Sequence, residues 1–150
     1  MFRGISKISI DAKGRFAVPA KYRPELQDKC ANQLVITVDP DQCLLMYPKP
    51  RWDEIENQLM TQGNLSKDVR RLQRLIVGYA TDCEISAQGK VQLSQPLRNY
   101  AGLDKAGMLV GQGQRFEIWD EETWLKLTDD WRRAEQAKES LNENLVDLQL

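Results

Sequence analysis

The chain of 150 residues contains no histidine. That absence removes Ser-His and Cys-His nucleophiles, water activated on a histidine-held zinc, and acid-base work by the side chain best tuned to neutral pH. Cysteine is scarce as well: Cys30, Cys43 and Cys83 are odd in number and none stands in a C-x-x-C pair. Such usage suits a reducing compartment better than a disulfide framework. No run approaches the roughly 18 apolar residues of a membrane span. The opening residues, MFRGISKISIDAKGR, are broken by charge where a secretory leader would need an apolar stretch. A cytoplasmic location without a membrane partner is therefore expected, and the glycosylation-like triplet Asn64-Leu65-Ser66 carries no information without a secretory route. No G-x-G-x-x-G or Walker sequence occurs; Gly111-Gln112-Gly113 reads as a turn between strands. The acids Asp120, Glu121 and Glu122 belong at a helix N-terminus, where they favour the positive end of the dipole. Taken together, these gaps predict a protein that is not an enzyme, with no catalytic residues, metal site, cofactor or small-molecule substrate.

What is present is a charge gradient. The net charge is only −1, yet residues 1–24 carry six bases (Arg3, Lys7, Lys13, Arg15, Lys21, Arg23) against the single acid Asp11, and residues 116–150 carry ten acids against four bases. A basic head on an acidic body can present a positive face to phosphates, because binding follows local potential and not the total. Two solvated faces are the plainer alternative.

The gradient coincides with a repeat. Residues 8–24 read ISIDAKGRFAVPAKYRP, and 75 positions later comes CEISAQGKVQLSQPLRN. In the first copy Ile8 and Ile10, then Phe16 and Val18, alternate on either side of Ala12-Lys13-Gly14, which marks a β-hairpin or β-turn-β unit with Gly14 supplying a positive φ. Pro19 ends the strand, 20–27 can form a short helix, LVITVD and CLLMYP make a second strand pair, and Trp52, Ile55 and Leu59 share one face of a helix. The second copy repeats this order through MLVG, RFEIW and a closing helix from Glu121 to about Ala137. Its later landmarks sit at an offset of 72, as Tyr47 to Trp119 and Trp52 to Trp124 show.

Each unit alone has too little core to stand, so two copies packed together, or strands swapped between copies, are expected. The predicted divisions are a first unit at 1–62, a linker helix at 63–80, a second unit at 81–138 and a tail at 139–150. In the linker Leu65, Val69, Leu72, Ile76 and Tyr79 keep a 4-3-4-3 spacing, with Ser66 as N-cap. The tail, with Leu141, Leu145 and Leu148, is expected to be a mobile or weakly helical extension.

ISIDAKGRFAVPAKYR, its degenerate second copy, VRRLQRLIVGYA and GMLVGQGQRFEIWDEETW together resemble the MraZ family of bacterial regulators over nearly the whole chain. The resemblance implies an α+β fold of two tandem AbrB-like swapped-hairpin β-barrel units forming an internal pseudo-dimer. It also implies ring-shaped homo-oligomers, nucleoid-associated binding of double-stranded DNA at promoter repeats, and repression of its own operon in the division and cell-wall gene cluster. The family's D-x-x-x-R signature falls on Asp11 and Arg15; the second copy has Ser86 and Lys90 there, a departure that bears on base-reading by that copy.

The residue chemistry can be argued beside that resemblance. Arg15 offers a rigid fork able to bond bidentately to guanine O6 and N7 or to a phosphate, and a two-stranded ribbon fits a major groove. Lys13 suits phosphate as a point charge, and Arg3, Lys7, Lys21 and Lys90 add to the positive face. Asp11 cannot favour a polyanion; it is expected to orient Arg15 or bond turn amides, with Gly14 shaping the turn. The plainer alternative is an exposed Asp11–Arg15 pair worth a few tenths of a kcal/mol. A competing function is a protein-interaction or assembly module with no DNA contact, its Trp52, Trp119, Trp124 and Trp131 placed at subunit contacts or in the core.

Overall fold

The computed structural model describes residues 1–63 and 66–138. Asn64 and Leu65 of the glycosylation-like triplet, and the tail leucines 141, 145 and 148, lie outside the described residues. The first copy runs β1 (Phe2–Ser9), β2 (Arg15–Ala17), a 3-10 turn (Ala20–Tyr22), α1 (Arg23–Cys30), β3 (Gln33–Val38), β4 (Leu44–Pro48) and α2 (Lys49–Met60). After α3 (Lys67–Ile76) the second copy follows with β5 (Thr81–Glu84), β6 (Lys90–Gln92), α4 (Gln95–Ala101), β7 (Ala106–Gly113), β8 (Arg115–Asp120) and α5 (Glu121–Ala137). This is an α+β fold in the anticipated element order.

Local chemistry explains the helix starts. Prolines stand in the first turns of α1, α2 and α4, where the missing N–H costs nothing. Ser66 caps α3, its Oγ accepting from the amides of Asp68 and Val69 at 3.2 and 3.5 Å. Asp120 caps α5 by accepting from Thr123 N at 3.0 Å, with Glu121 and Glu122 in the first turn. The linker stripe is only partly used: Ile76 is buried, Leu72 is 40% exposed, and Tyr79 falls beyond the helix, where its ring meets Tyr100 at 5.3 Å.

Backbone pairing departs from the hairpin reading. β1 and β2 form no ladder with each other; instead β1 pairs with β7 from Phe2↔Gly113 to Ser9↔Ala106. The physical reason is length. An eight-residue ladder with β7 satisfies far more backbone groups than the three residues of β2 could offer. The same pairing corrects the reading of Gly111-Gln112-Gly113, which is the end of strand β7 and not a turn. A Cβ at Gly111 would stand 2.5 Å from Arg3 N, so glycine there lets β1 come close.

Among the described residues all eight strands pair antiparallel, in a six-stranded sheet ordered β1-β7-β8-β4-β3-β5 and a ribbon of β2 and β6. Exchanging each strand for its counterpart in the other copy reverses the sheet order and leaves it unchanged. The registers locate the two-fold relation: Phe16 faces Val91, offset 75, and Leu45 faces Glu117, offset 72. Those are the two repeat offsets of the sequence. Strands are thus exchanged between copies, and neither half completes its sheet alone.

Alternation along β3 and β4 divides the core between the sheet's two faces. Leu34, Ile36, Leu44 and Met46 join Phe16, Val91, Leu26, Leu97 and Phe116 on one face, beneath the ribbon. Val35, Leu45 and Tyr47 join Trp52, Ile76 and Trp119 on the other, beneath α2, α3 and α5. Thr37, fully buried on that second face, donates its hydroxyl to Ile76 O at the end of α3.

Candidate nucleic-acid interface

The segment between β1 and β2 closes as a tight turn. Asp11 N donates to Arg15 O and Gly14 N to Asp11 O, each at 2.9 Å, and Gly14 takes φ +82°. The carboxylate of Asp11 then ties the turn together. Its Oδ1 accepts from the amides of Lys13 and Arg15, both at 2.9 Å, and its Oδ2 accepts from Arg15 Nε at 3.0 Å. The bond from the Arg15 amide is the largest cause holding this carboxyl below its ordinary value; partial desolvation opposes it, and the guanidinium adds to it. Asp11 therefore both bonds turn amides and orients Arg15. With Nε committed, the two Nη groups of Arg15 have no partner among the described residues, and the side chain is 43% exposed.

The second turn repeats the backbone pattern with weaker side-chain support. Ser86 N donates to Lys90 O at 2.9 Å and Gly89 N to Ser86 O at 2.8 Å. Among the described residues Ser86 Oγ accepts only from Lys90 N, at 3.1 Å. At the positions of Asp11 and Arg15 this turn has a hydroxyl and an ammonium, so the carboxylate-to-fork bond of the first turn has no counterpart between them.

The ribbon places the two turns on one surface. Phe16 and Val91 at its centre are fully buried, so their neighbours Arg15, Ala17, Lys90 and Gln92 point to the opposite side. Arg15 faces Gln92 and Ala17 faces Lys90, which puts both cations on that outer side, one on each strand. Gln92 Nε2 donates to Lys13 O at 3.1 Å and joins the second copy to the first turn. Asp11, Lys13, Gly14, Arg15 and Lys90 are thus brought together.

Other basic residues lie elsewhere. Lys7 alternates with Ile8 on β1 and so faces the α5 side of the sheet, where its Nζ pairs with Glu121 at 3.1 Å. Arg3 shares that parity and is likewise separated from the ribbon. Lys21, on the 3-10 turn after β2, lies 5.0 Å from the centre of the Tyr22 ring. Two arginines that the sequence reading did not single out adjoin the turns instead: Arg98 of α4 lies against Gly14, and Arg23 of α1 against Gly89. Their shared offset of 75 is the signal that could have found them.

The groups at this surface hold charge and donate hydrogen bonds. Burial pushes all three thiols up, Cys83 to about 12, so none is a thiolate at neutral pH. Of the tryptophans, Trp52 and Trp119 are buried and Trp131 is 46% exposed, its ring 6.0 Å from Trp119 and 5.9 Å from Trp124.

Comparison with known proteins gives a consistent picture. A family model for MraZ protein matches the chain twice, over residues 1–75 and 76–145. A protein of Thioalkalivibrio sulfidiphilus named transcriptional regulator MraZ is 55% identical over 135 residues, covering 90% of each chain. One of the same name from Methylococcus capsulatus is 50% identical over 131 residues, covering 87% of this chain and 86% of its own. A third, from Yersinia pseudotuberculosis, is 44% identical over 152 residues and spans both chains completely.

Proposed function

The chain belongs to the MraZ family, and on that premise we propose that it is a sequence-specific DNA-binding transcriptional regulator. Its reading surface is the outer side of the β2·β6 ribbon. The observation that carries this reading is the fork of Arg15, held through Nε by Asp11 with neither Nη group partnered among the described residues, Lys13 in the same turn and Lys90 on the same side of the facing strand. A fork fixed in this way is suited to guanine O6 and N7 in a major groove, while the lysines suit phosphates. Lys21 lies by Tyr22 and Gly4 of β1, away from the ribbon, and Arg3 and Lys7 stand on the other side of the sheet, so all three have a secondary role at most.

So small a patch binds weakly alone. A ring-shaped homo-oligomer would align several ribbons on promoter repeats and multiply the effect. The partly exposed Leu125 and Trp131 of α5 supply apolar surface for such assembly. In this reading the protein acts in the cytoplasm at the nucleoid and represses its own operon in the division and cell-wall gene cluster. The units at 1–62 and 81–138, joined by a linker at 63–80, are the working halves of one reading head.

The test is a gel shift with the duplex immediately upstream of the gene against random duplex of equal length. A specific complex should form whose binding constant falls, on a logarithmic scale, linearly with the logarithm of salt concentration. Binding to neither duplex would favour an assembly module without DNA contact, and equal binding to both would overturn the sequence specificity.

A further inference from the structure

Each copy lends an arginine to the turn of the other. Arg98 Nε donates to Leu93 O at 3.1 Å, and Leu93 N donates to Gly14 O at 2.8 Å. A Cβ placed on Gly14 would stand 2.8 Å from Arg98 Nε and 2.7 Å from Leu93 O, so the first turn rests directly on this bonded pair. Arg23 is the counterpart beneath Gly89, whose carbonyl accepts from Val18 N at 2.9 Å. Its support is looser. Arg23 Nη2 reaches Gln88 O at 3.5 Å, and its buried Nε has no acceptor among the described residues. The better-anchored arginine therefore lies under the turn that carries the fork.

We propose that Arg98, from the second copy, is a specificity-determining positioning residue for Arg15 in the first. The proposal rests on the reading of the ribbon as the DNA-contacting surface. A bidentate contact tolerates misplacement on the order of 0.5 Å. The turn fixes Arg15 only as well as it is fixed itself, and its floor is Arg98 and Leu93. Arginine serves here because the planar group donates to Leu93 O in a set direction while lying in van der Waals contact with Gly14, which a lysine cannot reproduce. Asp11 secures the turn from within and Arg98 secures it from below.

The test uses the full chain. In Arg98→Ala, amide hydrogen exchange at Lys13 and Arg15 should quicken about tenfold while Lys90 is unchanged; Arg23→Ala should reverse the pattern. On the upstream duplex Arg98→Ala should weaken specific binding about tenfold, within the range that coupling between touching residues produces. Non-specific affinity and salt slope should hold, and Arg98→Lys should not rescue. Combined with Arg15→Ala, it should add almost nothing to the loss. Should Arg98→Ala not fold, Arg98→Gln takes its place in every arm. Additive losses, or a salt slope reduced by about one charge, would overturn the positioning role, the latter by making Arg98 a direct phosphate contact. If Arg15→Ala itself bound the fragment as the parent does, the reading of the surface would fall, and the exchange arm alone would judge the brace.

Discussion

Phe16 and Val91 face each other at the centre of the β2·β6 ribbon, both fully buried, and they are 75 residues apart, the same distance as the two copies. The residue that closes the first copy's core is thus its own counterpart's partner. Everything on the outer side of the ribbon inherits that relation, including the unequal pair Arg15 and Lys90.

Replacement of Arg15 should separate specificity from charge. Arg15→Ala should cost about 1 to 3 kcal/mol at each engaged site. Arg15→Lys keeps the charge and should lose specificity with little change in salt slope. Lys90→Ala should weaken all duplexes alike and much less. Anisotropy titrations at several salt concentrations, on the upstream and a random duplex, measure all three.

The Asp11 carboxyl offers a titration of the turn. Its folded value is depressed, so its contribution to stability is present above the unfolded value of about 3.9 and is lost as pH falls through the lower folded value. Specific binding should therefore be insensitive to this group from neutral pH down to about pH 5. Arg15→Ala should raise the Asp11 midpoint only part of the way, because the amide bond from residue 15, the largest cause, remains. A carbon-detected NMR titration reads this directly; full return to the ordinary value would contradict it.

Two glycines at equivalent positions should differ in cost. Alanine at φ near +80° costs about 1 to 2 kcal/mol from backbone strain in either turn. Gly14→Ala also drives a methyl against Leu93 O, a backbone atom that cannot move aside. At Gly89 the nearest atoms to such a methyl are the end of the Arg23 side chain, which can swing away. Denaturation midpoints should rank Gly14→Ala as the less stable variant, and an equal or reversed order would count against the turn geometry.

Thr37→Val keeps shape and removes the buried hydroxyl that bonds Ile76 O. The loss should be about 1 to 3 kcal/mol, since the carbonyl ending α3 is left without that partner. Urea denaturation checks it. A neutral result would mean that the carbonyl finds another donor at no cost.

Much of the fold was legible because local patterns and tertiary context agree. Prolines, caps and alternation marked nearly every element, and Asp120 capped α5 where the acids pointed. Pairing was harder to read, since a three-residue strand such as β2 carries no signal of its partner and only the repeat offset hints at exchange. At the candidate site, the contact of Asp11 with Arg15 is legible because it lies within four residues of one turn. The place of Arg98 against that turn is not, because it comes from 83 positions further along the chain than Arg15, and a count of charges does not say that Lys7 lies on the side of β1 that meets Glu121.

The palindromic strand order has one more consequence. In a dimer of identical chains every substitution appears twice, and a loss on one side is a loss on both. Here the two halves are one polypeptide, held in register by exchanged strands, so a change in one need not be matched in the other. Asp11 and Arg15 can be kept for contact while Ser86 and Lys90 drift toward support. The tether across α3 gives the molecule the shape of a symmetric partner and the freedom of a single chain, which lets it carry a left hand and a right hand that differ.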